Sequence, residues 1–184
     1  MDANTLSRAA GISLPRAQQW ALPLTAAMDE FAINTPARQA DFIAQVGHES
    51  MGFARTREIW NPTQVPAQAR YEGRADLGNT QPGDGMRFMG RGLIMVTGRA
   101  NYAALSKAVG VDFVKNSQLL ERDDYAAIAA GWFWSLKGLN TYADKGDFLT
   151  ESIRINGKNA NGLPNGWDDR QRRRTVARAA LGLQ

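Results

Sequence analysis

The sequence predicts an all-α protein, and three observations carry that prediction. Apolar residues recur at helical spacing in several segments, almost nothing alternates with the two-residue period of a strand, and short glycine or proline breakers separate the periodic stretches. Taken in order, residues 5–10 form a short helix that Gly11 stops. Pro15 suits a first helical position, and Pro23 is expected to break or kink the segment and start another helix running to about Phe31. Thr35-Pro36 is a start signal, a side-chain cap followed by proline at the first helical position. Phe42, Ile43 and Val46 then share one face of a helix ending near Glu49 or Ser50, with Gly52 beyond it. Residues 73–92 hold six glycines and Pro82 and read as a long loop, a feature that is commonly functional. After the apolar stretch 93–96, Thr97 is expected to cap a helix that Gly110 stops. Asp123 or Asp124 opens a helix through Tyr125, Ile128, Trp132 and Phe133 to Leu136; residues 147–155 and 168–181 form the last two.

At 184 residues, 43% of them hydrophobic and 22% charged, the chain suits one domain with a real core, residues 1–34 forming N-terminal helices ahead of a core at 35–184. No apolar run approaches the ~18 residues of a membrane span. Residues 1–13 show neither the basic start nor the apolar stretch of a secretory signal, so synthesis in the cytoplasm is expected. There is no cysteine and a single histidine, His48, which excludes disulfides, thiolate nucleophiles and two-histidine zinc sites. The net charge is +4, and five arginines without an acid occupy residues 170–178. Such a face can bind nucleic acid, anionic lipid or an anionic wall polymer, or be merely solvated. Arg172, Arg173, Arg174 and Arg178 are expected on the solvent side of the final helix, with Val176, Ala179, Ala180 and Leu183 turned to the core.

Glu49 falls at the C-terminal end of the third helix. The helix dipole there disfavours a second negative charge, as does any apolar neighbour such as Phe53, and both effects favour a carboxyl that keeps its proton. A glycosidase requires such a general acid. Glu58 lies nine positions on, past the Met51-Gly52 breaker, so the chain can bring a second carboxylate back across a cleft. A separation of about 6.5–9.5 Å would leave room for an attacking water. Glu72, Asp76 and Asp84 compete for that role on spacing alone. Trp60 could stack on a sugar ring, whereas Trp20, Trp132, Trp134 and Trp167 read as packing residues. The zinc-protease pattern begun by His48-Glu49 lacks its second histidine, the glycine-rich 83–92 stretch lacks the end of a P-loop, and no serine elbow occurs.

Three blocks carry a family resemblance: Phe42-Ile43-Ala44-Gln45-Val46-Gly47-His48-Glu49-Ser50; Gly90-Arg91-Gly92-Leu93-Ile94-Met95-Val96-Thr97-Gly98-Arg99-Ala100-Asn101-Tyr102; and Ile155-Asn156-Gly157 with Asp169-Arg170. In this order they resemble glycoside hydrolase family 19, the chitinases and their relatives among bacteriophage endolysins, and the match is nearest the phage-type branch. The resemblance implies a lysozyme-like helical fold with a cleft between two lobes, and hydrolysis with inversion, without metal or cofactor. It implies Glu49 as general acid, Glu58 as general base and Thr97 as the hydroxyl that helps hold the water. Asn101 and Asn156 match sugar-binding amides, Arg170 an arginine in the acid's charge network, and His48 a supporting residue. Met95 stands where the family usually has glutamine, which weakens the case for chitin. The expectation is therefore an endolysin acting on peptidoglycan glycan strands after release to the wall, as a monomer, held there by Arg172, Arg173, Arg174 and Arg178. No nucleic acid is expected. The alternatives are a chitinase, a nucleic-acid-binding protein using the arginine face, and an inactive wall-binding module.

Overall fold

The computed structural model describes residues 1–183, in which ten α-helices follow one another: α1 (Ala3–Ala10), α2 (Leu14–Glu30), α3 (Pro36–Glu49), α4 (Pro66–Ala69), α5 (Asp84–Arg87), α6 (Arg99–Val109), α7 (Asp123–Leu136), α8 (Leu139–Lys145), α9 (Phe148–Asn156) and α10 (Trp167–Ala180). No strand forms among the described residues; the only β pairing is two isolated bridges, Arg57 with Arg91 and Arg91 with Val96. Local chemistry starts and stops many of these helices. The side chains of Asp2, Thr35 and Asp147 accept hydrogen bonds from the N–H groups of Thr5, Arg38 and Thr150, and left-handed Gly11 and Gly110 close α1 and α6.

Helix α3 is the axis of the site. It packs against α10, α8 and α1, and every residue from Ala40 to Gly47 is buried. Its apolar side chains enter the core, where Phe42 meets Trp134 edge-on at 5.4 Å. Two polar residues one turn apart, Asp41 and Gln45, are wholly buried as well, and such residues need partners. Trp20, on α2, donates its indole N–H to the Phe53 carbonyl at 3.0 Å and so fixes the chain just past the end of α3.

Three expectations about the elements change. Pro23 does not break α2, which runs through it for 17 residues. Trp20, Leu24, Ala27 and Met28 bury one face against α1 and α7, and that burial offsets the ~3 kcal/mol that an interior proline costs. The 73–92 loop contains a 3-10 turn, Ala75–Leu77, and the short helix α5. Thr97 does not cap α6; Gly98 does, at φ 94°. A Cβ at residue 98 would come within 2.7 Å of the Leu77 carbonyl oxygen, so this close approach reserves the position for glycine and leaves Thr97 one residue outside the helix.

Candidate active site

The expected site residues gather in two clusters, and among the described residues no hydrogen bond or ion pair joins one to the other. The first is built on α3, α9 and α10. Arg170, fully buried, donates from one terminal nitrogen to the Glu49 carboxylate, from the other to the Gln45 side-chain oxygen at 2.6 Å, and from Nε to the Asn165 carbonyl at 3.0 Å. The Gln45 amide in turn donates to Ser152 on α9 at 2.7 Å. The carboxyl of Glu49 therefore sits where a helix end contributes partial negative charge and a buried guanidinium contributes a full positive one.

His48 points beside this group, its Nδ1 2.7 Å from Asp169 on α10. Burial draws the Asp169 carboxyl upward, but hydrogen bonds from His48 and Arg173 and the charge of Arg173 outweigh it and leave its pKa at about 2. Asn156, exposed at the end of α9, accepts the Asn165 N–H at 3.1 Å and so steadies the loop whose carbonyl holds Arg170. Behind the cluster, Asp41 takes both ends of Arg174, at 2.7 and 3.0 Å. Glu151 lies against them, its two carboxyl oxygens buried without a hydrogen-bond donor. Burial and the adjacent negative charge of Asp41 push its pKa up to about 9, against the pull of Arg174 and Gln45.

The arginine face needs correction in consequence. Arg174 is committed to buried Asp41, and Arg173 and Arg172 both pair with Asp169. Arg172 is the one of these three with a mostly exposed side chain (69%), while Arg173 and Arg174 retain 24% and 21%. Arg178 is half-buried and acts electrostatically on Asp41. Ala180 and Leu183 pack against the core as expected, whereas Val176 and Ala179 are exposed and Ala177 is buried. Arg173 and Arg174 leave the solvent side because they find acids, Asp169 in the first turn of α10 itself and Asp41 on α3.

The second cluster is built on irregular chain. Residues 56–58 pair with residues 90–92: Gly92 N–H donates to the Thr56 carbonyl at 2.9 Å, and Glu58 N–H to the Gly90 carbonyl at 3.0 Å. The Gly90 N–H returns a hydrogen bond of 2.5 Å to the Glu58 carboxylate, whose other oxygen accepts from the Gln68 amide at 3.1 Å. A Cβ at Gly90 would lie 3.4 Å from both Glu58 Oε1 and Thr97 Oγ1 and 3.2 Å from the Met95 Cβ, so these three side chains converge on one bare backbone position. The Thr97 hydroxyl donates to the Met95 carbonyl at 2.9 Å. Asn101 is exposed and donates to the Thr97 carbonyl at 2.7 Å. Trp60 packs obliquely on Tyr71 at 6.1 Å, and the Tyr71 phenol is raised by burial and then by the charge of Glu58.

The competing acids are occupied elsewhere. Glu72 accepts the N–H groups of Gly83 and Gly85, Asp76 pairs with Arg74, and Asp84 with Arg99. Sequence reasoning passed over Gln45, Gln68 and Glu151. Each is a polar residue at a buried position, and for Gln45 the 125-residue separation from Arg170 hides the contact from any local pattern.

The chain is similar to proteins of one family. The profile of the family described as chitinase class I matches residues 25–143, more than half of the chain. A glycosyl hydrolase family 19 domain-containing protein of Haemophilus influenzae is 33% identical over 159 residues, covering 72% of this chain and 74% of that one. An endochitinase of Arabidopsis thaliana is 33% identical over 124 residues, 67% of this chain, but the chain spans only 40% of that protein. Among solved structures, a bacterial family 19 chitinase superposes with a TM-score of 0.71 at 25% identity, covering 98% of this chain and 96% of that one. Chitinase C from Streptomyces griseus gives 0.72 at 22% identity, covering 98% and 78%, a likeness of fold alone.

Proposed function

As a member of glycoside hydrolase family 19 the chain is a chitinase-like glycoside hydrolase, and we propose that it is an endolysin cleaving the β-1,4 bonds of bacterial peptidoglycan by an inverting acid–base reaction. The observation that carries the chemistry is the contrast between two carboxylates. Glu49 is gripped by a buried guanidinium; Glu58 is gripped by a backbone N–H beside the free face of a hydroxyl. In this reading the Glu49 carboxyl protonates the glycosidic oxygen as its bond to the anomeric carbon breaks, and Arg170 stabilises the carboxylate left behind. Glu58 takes a proton from a water whose oxygen attacks that carbon from the opposite face, inverting it. Because the Thr97 proton is directed to the Met95 carbonyl, its oxygen is available to accept a hydrogen bond from that water. Trp60, Asn101 and Asn156 supply sugar contacts.

Two features support peptidoglycan as the substrate: Met95 in place of the glutamine usual in the family, and a net charge of +4 suited to an anionic wall. Similarity to endochitinases favours chitin as the second reading. Digestion of purified peptidoglycan and of chitin oligosaccharides separates them. Mass spectrometry of the reducing ends should show muropeptides released from peptidoglycan, and early-time NMR the inverted anomer. Cleavage of chitin beside intact peptidoglycan would reduce the protein to a chitinase.

A further inference from the structure

We propose that a basic groove beside Glu58 binds the carboxylates of the short peptides that branch from the glycan strand. The proposal rests on peptidoglycan as substrate and extends it from the sugar to its substituent. Two hollows form the groove. One, of about 310 Å³, is lined by Arg55, Arg57, Ile59 and Trp60 beside Glu58 itself; the other, of about 450 Å³, by Arg87, Arg91 and Lys115. Met86 and Met89 line both, so the two adjoin.

The charges in this groove are not balanced. Arg91 is buried and held by Glu121 at 2.8 Å, and Arg57, more than half exposed, shares the same carboxylate only at 3.7 Å. Arg87 donates to the Val114 carbonyl at 3.0 Å, a neutral acceptor that leaves its charge uncompensated. Among the described residues the Arg55 guanidinium and the Lys115 ammonium make no hydrogen bond or ion pair. The acids of the neighbouring segment are engaged: Glu72 with the N–H groups of Gly83 and Gly85, and Asp84 with Arg99. Arg55 and Arg57 thus stand beside Glu58 in one hollow and Arg87 and Lys115 in the other, with Glu121 shared between Arg57 and buried Arg91. A bare amino-sugar chain, whose acetamido and hydroxyl groups are neutral, offers such a surface hydrogen-bond acceptors but no negative charge to balance it. Between the cations stand Ile59 and Met86, 62% and 55% exposed, apolar surface placed next to charge. A short peptide combining carboxylates with small apolar side chains matches both features, and the peptides of peptidoglycan have that composition. Their attachment to the strand would carry them into the groove once a sugar lies at Glu58.

The test titrates the whole protein, followed by NMR of its methionine methyls, with a disaccharide–peptide fragment and with the same disaccharide lacking the peptide. The peptide-bearing fragment should shift Met86 and Met89 well beyond any change that the bare disaccharide causes through Trp60. The variant Arg55→Gln, Arg57→Gln, Lys115→Gln should bind the peptide fragment about tenfold more weakly, as two or three exposed charge contacts are worth, and lose most of the salt dependence. Lys115→Gln alone, an exposed change with no partner to lose, should give part of the same loss and guards against a misfolded triple variant. Peptide-fragment binding that leaves Met86 and Met89 unmoved, or that survives neutralisation undiminished in a folded variant, overturns the groove. Hydrolysis of peptidoglycan is scored separately. Cleavage with a silent groove defeats this inference alone, and a responsive groove without cleavage supports it while defeating the substrate assignment.

Discussion

Glu49 and Glu58 are held by opposite kinds of structure. Glu49 closes a regular helix and rests on side chains: Arg170, behind it Gln45, and behind that Ser152, drawn from three helices. Glu58 lies on irregular chain, where the backbone N–H of Gly90 and the Gln68 amide donate to its carboxylate and the Tyr71 phenol stands against it. A group that must cycle between acid and carboxylate gains from a fixed guanidinium whose charge never changes. A group that must leave room for water gains from a support with no side chain. The two sides should therefore fail differently. Mutation reaches the acid side through its polar partners and the base side through added volume.

The largest effect expected is on turnover. Glu49→Gln should lose at least ~10²-fold in kcat because the leaving oxygen loses its proton donor, and Glu58→Gln should lose at least as much because water is no longer activated. Both are isosteric and should melt close to the parent in a calorimetric scan. A folded Glu49→Gln protein that lyses walls at full rate would remove Glu49 from the reaction. Retention of configuration in the product would remove Glu58 as base.

Loss of a group that holds one of the two carboxylates should have the next largest effect. Arg170→Met strips the only fully buried arginine from Glu49 and Gln45, so it should cost about 3–5 kcal/mol of stability as well as activity. Gly90→Ala adds a methyl 3.4 Å from Glu58 Oε1 and Thr97 Oγ1, which should lower kcat about tenfold by crowding the water while shifting Tm by only a few degrees. Urea melts and steady-state rates on both variants decide the matter. Equal loss of stability in the two would mean that the clusters share one kind of support after all.

Much of this was legible in the sequence where the cause is local. Thr35-Pro36 starts α3 and Gly110 stops α6 because a cap and a left-handed turn are decided within a few residues. Glu49, Thr97 and Arg170 stand in the motif blocks and Glu58 follows from its spacing to Glu49 and from the resemblance, and the structure brings each to one of the two clusters. What escaped depends on distant chain. Pro23 is tolerated because α1 and α7 cover its helix, and Gly98 replaces Thr97 as cap because Leu77 crowds it. Met51, Phe53 and Met95 carry positive φ just beyond Glu49 and beside Thr97, a strain that residue type does not announce. The arginine run misled most: charge spacing suggested a solvated face, while Asp41, 133 positions away, claims Arg174.

Behind the acid side stands a buried pair of carboxyl groups, and its effect on stability is the smallest expected and the most specific. Glu151 is buried against Asp41 with no donor to either oxygen, and its carboxyl is pushed up to about 9 by burial and by that neighbour's charge. The folded protein then holds a proton that the unfolded chain releases near the ordinary glutamate value of 4.5. Between those values the native state binds more protons than the unfolded state, so stability declines as pH rises from about 4.5 toward 9. Glu151→Gln keeps the shape, offers Asp41 an N–H, and has no proton to lose. Its Tm should exceed that of the parent by a margin that grows from pH 5 to pH 9. Arg174 and Arg178 face the same pair from α10 and stay charged throughout, so they add no slope of their own in that range. Melting curves recorded at one-unit intervals give the answer. Parallel curves would mean that Glu151 is ionised in the fold, and the acid side would then rest on fixed charges alone, as the base side rests on backbone.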